Sequence, residues 1–193
     1  MEKENYNNLR DYAWKVLSKA KINSLPVNLY QVCDMYNIEL KTFKEGSEIV
    51  DILHRENDIA FTFYIASKAY IFFDDSIYPY SKVRFAVAHE LGHIISKHNF
   101  KHDFEMNREY ETQANYFAIR LLAPAIVLHE CGILTTEDIM LECDISYSSA
   151  SIRSKEMKKL ETRGNYLISP LEKEVKKHFK NYINHHNKSK IKY

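Results

Sequence analysis

The most constraining feature of the sequence is a His-Glu-x-x-His motif at residues 89–93, inside the apolar segment RFAVAHELGHII. Apolar residues recur there at helical spacing and proline is absent, so we expect a helix. Two histidines four residues apart project from one face of a helix. His89 and His93 could therefore bind one zinc ion, and Glu90 could serve as a general base. The alternative is a pair of exposed histidines on an amphipathic helix.

A catalytic zinc site needs a third protein ligand, and two residues compete for this role. His98 follows the motif, but on a continuing helix it would point roughly 140° away from His93, outside the ligand shell. Glu111 lies in a second predicted amphipathic helix, within the segment 108–124, one turn before the buried stripe. We expect its carboxylate to point inward, where a metal ion would compensate its burial. The alternative for Glu111 is a solvated carboxylate near a helix start.

Asn115 stands one helical turn after Glu111. A side-chain amide in this position could hydrogen-bond a ligating histidine and fix its orientation. We therefore predict that Asn115 hydrogen-bonds a metal-binding histidine and supports the site without binding the ion itself.

The two segments together, HELGH followed by ExxANxFAxxLLxP, resemble the ImmA/IrrE family of metallopeptidases. The resemblance implies a zinc peptidase in which His89, His93 and Glu111 bind the ion and Glu90 is the general base. The resemblance implies an intracellular protein of a kind often encoded by phages or integrative elements, and the better-understood members of that family cut a helix-turn-helix repressor and so relieve repression. One departure is Ala123, where a methionine is more usual before the proline.

Composition excludes several other classes of protein. The formal net charge of +1 argues against a surface that binds nucleic acid or a membrane through its overall charge. No run of eighteen apolar residues is present, so we expect no membrane span. The three cysteines form no Cys-x-x-Cys pair, and reduced thiols are the simplest reading. We expect a cytoplasmic protein.

Hydrophobic periodicity predicts a mostly helical α+β fold. The predicted core is zincin-like, with a small three-stranded sheet beside the motif helix and a helix-turn-helix-like segment after it. The helices expected before the motif span residues 9–20, 29–36 and 47–55, and the strands span 38–43, 58–64 and 69–73, the last two forming a hairpin.

Residues 135–143 and 147–163 read as two helices joined by a three-residue turn, the outline of a helix-turn-helix. One interpretation is DNA recognition, and its candidate side chains are Ser148, Ser149, Ser151, Arg153 and Lys155. The other is a structural or repressor-docking module, as the resemblance implies. We favour the second interpretation because the segment has no cluster of arginines dense enough to read DNA bases.

The lysine-rich segment 171–193 is predicted to be helical up to about Ile183 and frayed beyond it, with little to pack against. A solvated basic tail is the simplest reading, and electrostatic assistance near DNA is the alternative.

We therefore predict three segments: a metallopeptidase core (1–132), a helix-turn-helix-like segment packed on it (133–170), and a basic helical or disordered tail (171–193). The predicted activity is that of a zinc endopeptidase that cleaves a helix-turn-helix repressor. The alternative is a non-proteolytic zinc-containing regulator that binds DNA or a repressor. The donor that stabilises the oxyanion stays open among Tyr78, Tyr80, His98 and His102.

Overall fold

A computed structural model describes residues 3–53, 58–98, 104–164, 166–167 and 169–190. These residues form ten helices and a three-stranded mixed sheet, so the predicted mostly helical α+β fold is confirmed. The elements are α1 (Lys3–Lys19), α2 (Leu29–Met35), β1 (Glu39–Thr42), α3 (Ser47–Leu53), β2 (Ala60–Ile65), β3 (Lys68–Phe73), α4 (Tyr80–Ile95), α5 (Phe104–Leu122), α6 (Ala125–Cys131), α7 (Thr136–Cys143), α8 (Tyr147–Arg163), α9 (Pro170–His178) and α10 (Lys180–Lys190).

The sheet has the order β1-β3-β2, with β1 parallel and β2 antiparallel to the central strand β3. The predicted hairpin is present: Ala66 and Ser67 both adopt positive φ, as a two-residue hairpin turn requires. Thr62 of β2 lies opposite Ile71 of β3, and directly paired residues share one face of a sheet. Ile71 is fully buried in the core, so Thr62 lies on the core-facing side, against which α4 packs.

Helices α4 and α5 form the most extensive helix pair of the described chain. Leu91 from α4 and Phe117 and Leu121 from α5 are fully buried between them and the rest of the core. Gly92 allows the close approach, since a Cβ there would lie 3.0 Å from the Ala114 Cα. The glycine of the motif thus makes room for a neighbouring helix.

The two helices expected for the helix-turn-helix-like segment are present as α7 and α8, joined by residues 144–146. Two of the five side chains considered for reading DNA are nevertheless buried. Ser149 is 7% exposed, and Arg153, at 3%, donates from Nε to the Ala123 carbonyl oxygen at 2.8 Å. Arg153 holds α8 against the core, and burial makes both residues unavailable to a base edge.

The prediction that the C-terminal segment has little to pack against was wrong. Val175, Phe179 and Ile183 are buried at a spacing of four residues, on one face of α9 and α10. Polar contacts continue this packing past the predicted fraying point, because Asn187 Nδ2 donates to the Glu130 carbonyl oxygen at 3.0 Å. The basic residues therefore belong to a docked helical segment up to Lys190.

Candidate metal centre

Two neighbouring helices bring three potential metal ligands together. His89 and His93 project from α4, and Glu111 projects from α5 toward them. The Nε2 atoms of the two histidines are 2.9 Å apart, and Glu111 Oε2 lies 3.1 Å from His89 Nε2. Glu111 Oε1 lies 3.4 Å from His93 Nε2. All three ligand atoms fall within 4.8 Å of one another.

The tautomer of His89 follows from its partner on α5. His89 Nδ1 lies 2.9 Å from Asn115 Oδ1, and an amide oxygen only accepts hydrogen bonds. Nδ1 therefore carries the proton and donates it, which leaves a lone pair on His89 Nε2, the atom that faces Glu111. Asn115 occupies the place that the sequence predicted for a supporting residue.

A longer chain of hydrogen bonds fixes His93. Gln113 Nε2 donates to Glu109 at 3.1 Å, and Gln113 Oε1 accepts from His98 Nε2 at 3.0 Å. The other ring nitrogen of His98, Nδ1, then accepts from His93 Nδ1 at 3.0 Å. His93 Nε2 is thus left with a lone pair, as His89 Nε2 is.

The prediction that His98 points away from His93 was wrong, because it assumed that the helix continues. Helix α4 ends at Ile95, and Lys97 adopts a left-handed conformation with φ of 54°. This turn brings the His98 ring back to contact His93, and the ring stacks on Tyr110 with centroids 4.4 Å apart. His98 contacts His93 on the side opposite the ligand atoms.

The geometry and the proton positions fit a bound metal ion. Two nitrogen lone pairs that face each other at 2.9 Å repel, and a cation between them converts the repulsion into coordination. Ligand atoms bonded tetrahedrally to zinc at about 2.0–2.1 Å lie about 3.3 Å apart. The separation of 2.9 Å between the histidine nitrogens, and those of 3.1 and 3.4 Å from each histidine to its nearer Glu111 oxygen, lie within about 0.4 Å of that value.

Glu111 differs from the sequence prediction in one respect. Its side chain is 53% exposed, so the expected inward, buried carboxylate was wrong. The reason is its position: Glu111 precedes Ala114, where α5 enters the core, and it reaches the histidines from the rim of the groove between α4 and α5. The ligand group therefore keeps one side open to solvent, as a catalytic metal site requires.

The carboxylate of Glu90 is held by a residue that the sequence analysis missed. Thr62 Oγ1 donates to Glu90 Oε2 at 2.6 Å, across the interface between β2 and α4. Burial of the carboxyl group raises the pKa of Glu90, while the Thr62 hydrogen bond acts in the opposite direction. A threonine 28 residues upstream gave no sequence signal, because only the sheet register brings it to the motif.

Burial also controls the charge of His93. Desolvation, followed by the neighbouring imidazoles of His89 and His98, lowers the pKa of His93 to about 3. A neutral imidazole is the form that binds a metal ion.

Of the oxyanion-donor candidates, Tyr78 and Tyr80 are exposed side chains and His98 is occupied behind His93. His102 lies outside the described residues. A further tyrosine, Tyr64 on β2, is also exposed, at 55%, and lies close enough to Glu90 that partial burial and then the Glu90 charge raise the pKa of its phenol.

Comparison with known proteins identifies the family of the chain. Residues 52–155 match the peptidase family described as the IrrE N-terminal-like domain, and the match includes α4 and α5 entirely. No curated protein matches the chain significantly. No helix among the described residues is long and apolar enough to cross a membrane. The match spans more than half of the 193 residues, so the chain belongs to the IrrE N-terminal-like family of metallopeptidases.

Proposed function

We propose that this protein is a zinc-dependent endopeptidase that uses His89, His93 and Glu111 as metal ligands and Glu90 as general base. One observation carries the proposal: two Nε2 lone pairs and a carboxylate converge beside a carboxylate that Thr62 holds in place. A structural zinc site usually closes with four protein ligands and has no use for such a base. Nitrogen and carboxylate ligands in this number are typical of catalytic zinc.

When bound, the metal would act as a Lewis acid that polarises the scissile carbonyl and acidifies the attacking water. Glu90 accepts the proton of that water as the new carbon–oxygen bond forms. It then delivers the proton to the amine as the carbon–nitrogen bond breaks, so the carboxylate is regenerated. The raised pKa of Glu90 suits a group that must both accept and release a proton during the reaction.

The sheet offers a place for the substrate. Strand β2 pairs with β3 on one side and lies at the edge of the sheet, next to α4. We propose that an extended peptide adds to this edge by backbone hydrogen bonds and passes in front of Glu90. A substrate segment that is extended and exposed, such as one in a linker or a partly unfolded region, could pair with β2 in this way.

We infer that the substrate is a helix-turn-helix transcriptional repressor, so that cleavage relieves repression in the cytoplasm. The support is the family membership and the α7–α8 pair, in which exposed Ser148 and Lys155 leave a polar surface for a protein partner. The burial of Arg153 disfavours the rival in which this segment reads DNA.

The test is co-expression of the wild-type chain, or its Glu90→Gln variant, with a candidate helix-turn-helix repressor. The intact mass of the repressor is then measured. A single cut that appears with wild type and disappears with Glu90→Gln supports the proposal. A repressor that stays uncut yet co-purifies with both proteins favours the non-proteolytic regulator.

A further inference from the structure

A cavity separate from the metal centre is lined mainly by residues of α1, α5 and α8, with Ala125 of α6 and Glu172 of α9. Its volume is about 560 Å³, which lies within the range of small-molecule sites. None of the three proposed metal ligands lines it, and neither does Glu90. The cavity therefore needs its own explanation.

The lining of this cavity is strongly basic. Five cationic side chains line it together with two carboxylates, those of Glu156 and Glu172, and one of the cations, Arg10, pairs with Asp11 beside the cavity, which leaves a surplus of two positive charges. The whole chain has a formal net charge of only +1, so the charge of the cavity is a local concentration. The cationic residues are Arg10, Arg120, Arg153, Lys159 and Arg163.

Two guanidinium groups in the wall share one carboxylate. Arg120 Nη2 donates to Glu156 Oε1 at 3.0 Å, and Arg153 Nη1 donates to Glu156 Oε2 at 2.9 Å. The two arginine side chains are only 12% and 4% exposed. Burial, followed by the charge of Arg153, lowers the pKa of Arg120 to about 10. The protein thus holds like charges together out of water, a costly arrangement that a bound anion would relieve.

The rim adds two cations that are unpaired among the described residues and a third, Arg10, that pairs with Asp11 Oδ1 at 3.0 Å. Lys159 and Arg163 are exposed, lie one turn apart on α8, and form no ion pair with any carboxylate of the described chain. On the α1 side, Arg10 lies over the indole of Trp14, with its Cζ 4.7 Å from the ring centroid. Tyr116 forms the opposite wall, and the Arg120 guanidinium lies over its ring. Cations and aromatic faces therefore surround one volume.

We propose that this cavity binds a small molecule that carries a phosphate group. Guanidinium groups match the geometry of phosphate oxygens and bind them by paired hydrogen bonds. A surplus of two positive charges suits a phosphate group, which carries up to about two negative charges, whereas a single carboxylate would neutralise only one of them. The inference is independent of the peptidase activity, because no proposed catalytic residue takes part in it.

The single tryptophan of the chain, Trp14, lines the cavity and reports on its occupancy. The full-length protein is titrated with pyrophosphate, ATP and adenosine, and Trp14 fluorescence and calorimetric heat are recorded. We expect saturable binding of the phosphate compounds and none of adenosine. Equal affinity for pyrophosphate and ATP identifies an inorganic ligand, and tighter binding of ATP identifies a nucleotide. Both outcomes support the site, whereas adenosine binding as tightly as ATP overturns it.

Charge reversal on α8 provides a matched pair of variants. Lys159→Glu with Arg163→Glu changes two exposed residues of the cavity, and Lys155→Glu with Lys158→Glu changes two exposed residues of the same helix outside it. Both double variants alter the net charge equally. We expect the first to weaken ATP binding at least about tenfold and the second to change it less than about threefold. Equal losses in both, or no binding by the wild type, would refute the site.

Discussion

The substitution Gly92→Ala tests whether helix spacing sets the metal geometry. The added Cβ would lie 3.0 Å from Ala114 Cα and 3.1 Å from Phe117 Cδ1, closer than ordinary contact. The nearest atom belongs to the α5 backbone, which cannot move aside as a flexible side chain can. Relief therefore requires α5 to shift away from α4 by a few tenths of an ångström. Glu111 lies less than one turn before Ala114, so the shift separates it from the histidines.

Two opposing effects determine the size of the stability change. Replacing a helical glycine by alanine gains about 1 kcal/mol of helix propensity. Overpacking a close contact costs about 1–3 kcal/mol. We expect a net destabilisation of about 0–2 kcal/mol. If displacement of Glu111 costs about 1–2 kcal/mol of metal-binding free energy, zinc affinity falls about 5- to 30-fold.

Zinc affinity is measured by competition with a chromophoric chelator, and stability by urea unfolding of the metal-free protein. Gly164→Ala is the control, since an added Cβ there meets nothing within 4 Å but the residue holds φ of +59°. That control should cost about 1 kcal/mol of stability through backbone strain and leave zinc affinity unchanged. Unchanged zinc affinity in Gly92→Ala, beside an intact fold, would refute the role of helix spacing.

Four further substitutions address the network around the site and the cavity. His98→Phe, which keeps the ring on Tyr110, and Asn115→Leu each remove a partner of a histidine, and each should lower zinc affinity about 10- to 100-fold in the chelator assay. Thr62→Val removes the donor that lowers the pKa of Glu90, so the acidic limb of the pH–activity profile should move to higher pH. Thr62→Ser keeps the hydroxyl donor and should restore the wild-type profile. An acidic limb that does not move in Thr62→Val contradicts a role for the Thr62–Glu90 hydrogen bond. Burial raises the pKa of Glu156, but its two arginine partners outweigh that effect and hold the pKa below its ordinary value. The Glu156 carboxylate therefore stabilises the fold above the ordinary pKa of a glutamate, and this stabilisation is lost as the pH falls through the lowered pKa of Glu156. Glu156→Gln should destabilise the protein by about 2–4 kcal/mol at pH 7 in urea and flatten this acid dependence, and an unchanged slope would contradict it.

Local spacing explains what the sequence could predict. His89 and His93 are linked by helix geometry alone, and the periodic segments around them define α4 and α5 without reference to the rest of the fold. The packed C-terminal helices had the same kind of signal, since Val175, Phe179 and Ile183 recur every four residues. Their lysine-rich surroundings obscured it.

Other features depend on tertiary structure and left no local signal. His98 reaches His93 because the chain reverses at Lys97. Thr62 reaches Glu90 through the sheet register. The basic cavity is assembled from α1, α5 and α8, whose charged residues are ordinary surface residues when each helix is considered alone.

The most direct test of the proposed metal centre is the zinc content of purified variants, measured as moles of zinc per mole of chain. We expect about one zinc ion per chain in the wild type and in Glu90→Gln, and a large loss in His93→Ala. His129→Ala is the matched control, because that histidine pairs with Glu161 outside the site and its loss should leave zinc content unchanged. Full zinc occupancy in His93→Ala, or a wild-type protein that binds no zinc when it is supplied, would contradict the account.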